Sequence, residues 1–231
     1  MNYQGYDPQS FGARQDSMAS YTAKTFGWMF LGLATTFIVS LAVYMSGAIY
    51  LLYNGIVPIV LAIAEVGVVI YLSARINRLS IGSARILFFA YAILNAVTFS
   101  SIFAVYNVGT LVFVFGMTAL YFGVMAIYGY VTKSDLSRIR PVLLFGLVAL
   151  LILALLSMFI PGLQTGMCLI GVVIFVAFTA YDTQKIRQNY MMFSGSPELL
   201  QKASIISALQ LYLDFINLFL YLLRLFGNRR N

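Results

Sequence analysis

The chain contains no histidine, and its one cysteine, Cys168, lies within an apolar run of the 231-residue sequence. Without histidine there is no imidazole general base and no imidazole metal ligand. A single cysteine cannot form an internal disulfide. The sequence also has no GxxxxGK[ST] or GxGxxG phosphate-binding motif. The common chemistries of soluble enzymes are therefore nearly excluded, and we expect neither catalysis nor a bound cofactor.

Charged residues are also scarce. They make up 9% of the chain, whereas 61% is hydrophobic, and soluble proteins carry about 25% charged residues. This composition indicates an all-α integral membrane protein surrounded by lipid. The formal charge is +7, but most basic residues lie in short connections between apolar runs, as membrane topology requires. No basic face or aromatic recognition motif is present, so we expect no nucleic-acid partner.

Charged connections divide the chain into apolar runs, each long enough for one or two helices that cross a bilayer. The predicted spans are residues 26–46, 51–73, 85–106, 110–131, 142–160, 164–185 and 204–224. The expected organisation is a mobile cytoplasmic tail (1–25), a seven-helix transmembrane domain (26–225) and a short basic tail (226–231). The first segment lacks the apolar core of a signal peptide. The connection from Gln188 to Lys202 contains Gly195, Ser196 and Pro197 and is predicted to be a flexible loop.

The positive charges predict the orientation of the spans. The connections near 74–85, 132–140 and 185–203 are basic, whereas the turns near residues 47, 108 and 162 carry no charge. The positive-inside rule places the basic connections and the amino terminus in the cytoplasm. Seven full spans then place the carboxyl terminus outside, despite Arg224, Arg229 and Arg230. A last segment that dips into the membrane and returns is the alternative, but the length of that run favours a complete crossing.

Two aspartates lie in the predicted spans. Asp214 is the only charged residue between Ala203 and Leu223, and Asp182 closes the uncharged stretch that begins at Pro141. An ionisable residue inside a membrane is costly and suggests a functional site. If the two helices pack antiparallel, the acids can meet on the cytoplasmic side, where they cannot both ionise cheaply and titrate as a unit. The alternative for Asp182 is a local ion pair with Lys185.

Two helices carry polar side chains at helical spacing. Those of the last span are Ser207, Gln210, Asp214, Asn217, Tyr221 and Arg224. A milder stripe on the third span consists of Tyr91, Asn95, Thr98 and Ser101. Spacings of three and four residues place each set on one helix face, which we expect to turn towards protein or water. For the third span, hydrogen bonds between helices are a sufficient alternative explanation.

Two further charged residues are candidates for the site. Arg75 follows the second span and can reach an acid at the cytoplasmic mouth as a bidentate clamp. The alternative is that Arg75 extends to the membrane surface and only sets topology. Glu65 lies inside the second span. It is either an ionisable residue of a polar lining or a neutral contact between helices.

Four segments of the sequence resemble one protein family. Residues 179–186 (TAYDTQKI) and 211–220 (LYLDFINLFL) resemble the paired signatures of the Bax inhibitor family, also called the transmembrane Bax inhibitor motif family. Residues 72–80 (LSARINRLS) and 128–136 (YGYVTKSDL) are similar to its bacterial inner-membrane branch. The resemblance extends over about residues 20–230, in the same order and with the same number of spans.

The resemblance implies a fold of six helices around a central seventh, and a pH-sensitive calcium leak. It implies that Asp182 and Asp214 form the proton sensor. It also implies that Arg75, with Arg78 as second choice, acts as a latch on the sensor, and that Glu65 belongs to the ion path. Calcium prefers several oxygen ligands, so the two aspartates are also candidate calcium contacts.

Two other functions are consistent with the sequence. The protein is alternatively a non-transporting, stress-protective regulator of other membrane proteins, such as quality-control proteases. The polar tail and the 188–202 connection would then be its contact surfaces. A second alternative is an intramembrane aspartyl protease, for which Tyr181 and Asp182 supply one motif. The partner motif, GxGD, is absent around Asp214, and the backbone there lacks the glycines that would let it open beside a substrate.

Overall fold

A computed structural model describes residues 17–53, 55–157, 159–160 and 162–227 of the chain. Within those residues the protein is helical and contains no strand. The α-helices are α1 (Met18–Met45), α2 (Val57–Arg75), α3 (Ile81–Phe99), α4 (Ser101–Val105), α5 (Val108–Val131), α6 (Arg140–Leu156), α7 (Leu163–Phe193) and α8 (Pro197–Phe226). Short 3-10 helices cover Ala48–Tyr53, Ile76–Arg78 and Leu136–Ile139. The predicted all-α class is confirmed.

Seven helical segments of the described chain are long and apolar enough to cross a membrane. They are Met18–Met45, Val57–Arg78, Ile81–Val105, Val108–Val131, Leu136–Leu156, Leu163–Phe193 and Pro197–Phe226. The third combines α3 and α4, which meet at Ser100. The last contains one unbroken 30-residue helix, which at 1.5 Å per residue is about 45 Å long. This length matches a complete crossing and does not match a segment that dips in and returns.

The predicted flexible loop from Gln188 to Lys202 is wrong. α7 continues to Phe193 and α8 begins at Pro197, so only a tight turn separates them. The side chain of Ser196 accepts a hydrogen bond from the backbone N–H of Leu199 and caps α8. Serine before a helix and proline in its first turn are start signals. The residues that predicted a loop therefore start a helix.

The first helix also begins earlier than expected. α1 starts at Met18 and is capped by Ser17, so residues 18–25 of the predicted amino-terminal tail are helical. Residues 1–16 of that tail lie outside the described residues, as do residues 228–231 of the predicted carboxyl-terminal tail. The connection between tail and first span is thus a continuous helix.

The last helix forms the centre of the bundle. α8 packs against α1, α3, α5 and α7, and it is the most extensively buried of the seven spans. α2 lies on the periphery against α3, and α6 lies on the opposite periphery against α7. The central position expected for the last span is therefore observed. Any polar side chain on α8 is held within protein for most of the helix.

Candidate functional site: an acid pair at the α7–α8 interface

Contacts between α7 and α8 recur at intervals of seven residues along each helix, which is two helical turns. The Phe175 and Tyr221 rings stack with their centroids 5.8 Å apart. Fourteen residues further along α7, Asn189 Nδ2 donates a 3.1 Å hydrogen bond to Ser207 Oγ. The residue numbers of the contacting side chains increase along α7 as they decrease along α8, so the two helices are antiparallel. Asp182 lies midway between the two α7 positions, and Asp214 lies midway between the two α8 positions.

This register brings the two predicted acids together. Asp182 is 6% exposed and Asp214 is 4% exposed, and a side-chain hydrogen bond joins their carboxyl groups. A hydrogen bond between two carboxyl groups requires a proton on one of them. Such a bond therefore forms only when the pair carries a proton. The juxtaposition follows from the structure, whereas the sensing role of the pair stays a prediction.

The cations that act on Asp182 include the expected Lys185 but not the expected Arg75. Lys185, one turn along α7, and Arg140, at the start of α6, are the cations whose charges act on Asp182. Arg75 ends α2 with an exposed side chain. Among the described residues, no hydrogen bond or ion pair joins Arg75 or Arg78 to either acid. Lys185 thus acts on Asp182 through its charge, and Arg75 has no hydrogen bond or ion pair to the acids in this conformation.

A set of hydrogen bonds fixes the α5–α6 connection to α7 beside the acids. Gln184 Nε2 donates to the Ser134 carbonyl oxygen at 2.7 Å, and Gln184 Oε1 accepts from the Leu136 N–H at 2.9 Å. Arg187 donates to two further carbonyl oxygens, at 3.2 and 3.3 Å, those of Tyr130 and Thr132. The segment that supplies Asp182 therefore also holds the connection that leads to Arg140.

Asp135 in this connection is an exposed carboxylate of a different kind. Its side chain accepts a 2.9 Å hydrogen bond from the Ser137 backbone N–H. Hydrogen bonds from Ser137 hold the pKa of Asp135 below its usual range. Asp135 thus stays ionised through mildly acidic pH, so it contributes a constant charge and is unsuited to proton sensing.

Close helix packing supports α7 directly behind the pair. A Cβ atom added to Gly129 on α5 would collide with the backbone carbonyl of Ala180 on α7. Only glycine permits this approach of two backbones. Ala180 is two residues from Asp182, so the position of the acid depends on contact with α5 as well as α8.

The remaining predicted acid, Glu65, lines a separate cavity of about 320 Å³. Thr98 Oγ1 donates a 2.7 Å hydrogen bond to Glu65 Oε1. The third-span stripe, Tyr91, Asn95, Thr98 and Ser101, lies along the same cavity, as do Asn217 and Arg224 of α8. The polar stripe of α8 is therefore divided. Ser207, Asp214 and Tyr221 meet α7, whereas Asn217 and Arg224 face the cavity.

Sequence reasoning missed a buried polar connection between α1, α3 and α8. The Tyr212 hydroxyl lies 2.7 Å from Thr36 Oγ1 and donates to Asn95 Oδ1 at 3.3 Å. All three residues are buried. Tyr212 lies off the polar stripe and is flanked by leucines, so no periodicity in the sequence marked it. The network fixes α8 against the helices opposite α7.

The expected contact of Asp182 and Asp214 with calcium stays a prediction. The described residues contain no group of three or more acidic, cysteine or histidine side chains placed to hold a metal ion. Calcium takes six to eight oxygen ligands, and the two carboxyl groups of the pair are bonded to each other.

The fold and the buried acid pair define a multi-pass, seven-helix membrane protein with an ionisable centre. Residues 18–231 match the family model described as "Inhibitor of apoptosis-promoting Bax1". The chain is 42% identical to the inner membrane protein YbhL of Escherichia coli K12, covering 92% of this chain and 93% of that one. It is 39% identical to an uncharacterized protein of Borreliella burgdorferi, covering 91% and 93%. The chain belongs to the Bax inhibitor family.

Proposed function

We propose that this protein is a proton-regulated cation leak of the bacterial inner membrane, with calcium as the ion. The observation that supports this function is the buried, hydrogen-bonded pair of Asp182 and Asp214 on the central helix and its neighbour. A carboxyl pair in the bilayer interior lowers stability, so its presence suggests that its ionisation has a function. The inner-membrane location is supported by the similarity to the inner membrane protein YbhL of Escherichia coli.

Protonation changes the charge at the centre of the bundle. With one shared proton the pair carries a single negative charge; as the pH rises it loses that proton and carries two, so it attracts cations more strongly at the cytoplasmic end. As the pH falls, protonation removes that attraction. We assign the closed state to the ionised pair held by Arg75. The arrangement described above, with a shared proton and Arg75 apart, then corresponds to the released latch.

Leak is therefore expected to increase with acidification. A ligand or proton shifts a two-state equilibrium only through its differential interaction with the two states. Here that difference is the attraction between a positive guanidinium and a pair whose negative charge is larger when it is fully ionised. Lys185 and Arg140 are cations that act on Asp182 in the released arrangement, so they favour ionisation and oppose full protonation.

The Glu65 cavity is the proposed outer part of the ion path. It offers a carboxylate, hydroxyl groups and two amide side chains, which are the oxygen ligands that calcium prefers. Arg224 on the same wall supplies the opposite charge. Calcium passing through this cavity would exchange water for these oxygen atoms without a permanent site.

Calcium flux into proteoliposomes, measured from mildly acidic to mildly alkaline pH, tests the proposal. Wild-type flux is expected to rise as the pH falls. The Asp182→Asn/Asp214→Asn variant keeps the size of both side chains but cannot ionise, so its flux is expected to be independent of pH. A double variant whose flux follows pH as the wild type does would refute the sensor. A wild-type protein that passes no cation at any pH would favour the regulator of other membrane proteins.

A further inference from the structure

One face of the central helix is not covered by its neighbours. Between Ser204 and Leu223 every residue of α8 is buried except Tyr221, whose ring stacks on Phe175 of α7, and a single line of half-exposed positions. These are Ile206, Gln210, Leu213, Asn217 and Leu220. Their spacing alternates between four and three residues, so they share one face. This line passes directly beside Asp214.

Two oxygen atoms on this side of α8 lack hydrogen-bond partners. Asp214 Oδ2 and Gln210 Oε1 are each inaccessible to solvent, and neither has a partner among the residues that the structure describes. Gln210 precedes Asp214 by four residues, so the two side chains are neighbours on the helix surface. A buried polar atom without a partner is costly, and native proteins usually satisfy such atoms with ordered water.

We propose that a water molecule bound between Gln210 and Asp214 is the entry point through which protons reach the acid pair. One water can donate a hydrogen bond to each of the two oxygen atoms at the same time. Gln210 is half-exposed, so it links the buried carboxyl to the uncovered face of α8. Gln210 is a positioning residue for this water and does not itself titrate.

The surrounding charges are consistent with this route. Lys185 on α7 and Arg140 at the start of α6 are the cations whose charges act on Asp182. Tyr21 of α1 and Tyr91 of α3 are further ionisable groups on packed helices, and α5 has no Asp, Glu, Lys or Arg. Water beside Gln210 thus lies on the amino-terminal side of Asp214, whereas Asn217 lies on the carboxyl-terminal side, in the Glu65 cavity.

Infrared spectroscopy of the protein in lipid vesicles can test the route without measuring flux. The protonated pair has a carboxylic C=O band, assigned by its loss in Asp182→Asn/Asp214→Asn, and the band shifts when D2O replaces H2O. At a pH that keeps the pair protonated, Gln210→Leu is expected to slow this shift by about tenfold, equivalent to ~1.4 kcal/mol, a typical net hydrogen bond. Gln210→Asn keeps an amide and is expected to exchange close to wild type.

Asn217→Leu is the matched comparison, because it removes an amide from α8 on the other side of Asp214. It is expected to leave the exchange rate unchanged. Exchange in Gln210→Leu as fast as in wild type would overturn the proposal, as would equal slowing in Asn217→Leu. The route deepens the proposed function, yet the two fail separately: a protein without flux can still show the Gln210 effect, and a conducting protein can lack it.

Discussion

The acid pair and Glu65 are both carboxyl sites within the spanning helices, but their surroundings differ. Asp182 and Asp214 are buried and bonded to each other at a tightly packed interface. Glu65 is half-exposed, is bonded to Thr98, and lines an open cavity of about 320 Å³. A buried pair retains a proton because charge is costly there. A carboxyl group with access to water is suited to meeting a cation. In our proposal the Asp182–Asp214 pair therefore senses protons, and Glu65 contacts the passing cation.

The largest expected effect is a different response of the two sites to neutralisation. Asp214→Asn leaves one ionisable carboxyl group and removes the coupled titration of the pair, so we expect calcium flux to lose its wild-type pH midpoint. Glu65→Gln removes a cavity charge but leaves the pair intact, so we expect flux reduced by about tenfold or less, comparable to one typical net hydrogen bond, with the pH midpoint unchanged. Proteoliposome flux at several pH values measures both.

The comparison fails if these outcomes are exchanged. A Glu65→Gln protein that loses its pH dependence would place the sensor in the cavity. An Asp214→Asn protein that keeps a wild-type pH midpoint would show that the pair is a structural contact only. Thr98→Val provides a control, because it removes the hydrogen bond to Glu65 and keeps the side-chain shape.

The second prediction compares helix packing behind the acid pair with helix packing near Glu65. Gly129→Ala places a methyl group against the Ala180 backbone, so we expect destabilisation of about 1–3 kcal/mol, the usual cost of overpacking. Gly67→Ala is the matched change on α2 near Glu65, where an added Cβ meets nothing within 4 Å. Thermal unfolding in detergent is expected to show a lower midpoint for Gly129→Ala and no loss for Gly67→Ala. Equal midpoints would mean that α5 and α7 are not in close contact.

The smallest expected effect belongs to Arg75, which ends the helix that carries Glu65. Arg75→Gln removes the proposed latch, so flux at alkaline pH is expected to rise severalfold, towards the acidic value. The worth of an ion pair near the membrane surface is about 1 kcal/mol or less, which limits the change. Arg78→Gln is the control. If both variants behave as wild type at alkaline pH, a latch at this connection is excluded.

The seven spans and the meeting of the acids could be predicted because both depend on local patterns. Apolar length determines a span, and a tight connection between two spans makes them antiparallel neighbours. Asp182 and Asp214 then meet when their distances from the turn agree, as the Asn189–Ser207 contact shows. The placement of Asp214 at the centre followed from the family resemblance and the polar stripe.

Other features depend on contacts between residues far apart in sequence. Arg187 was predicted to lie in a basic cytoplasmic connection, but it lies within α7 and bonds carbonyl oxygens of the α5–α6 connection. Lys202 is buried beside Glu198, with a 2.6 Å ion pair and a 3.5 Å hydrogen bond to the Asn77 carbonyl oxygen. These partners allow charged residues to stay helical. Nothing in the sequence pairs position 202 with position 77.

The shared proton can be followed directly by infrared titration of the carboxylic C=O band on the same proteoliposomes used for calcium flux. Our account predicts that the band, absent from Asp182→Asn/Asp214→Asn, disappears as the pH rises, with the same midpoint as the loss of flux. A band that stays constant across the pH range in which flux changes would contradict it.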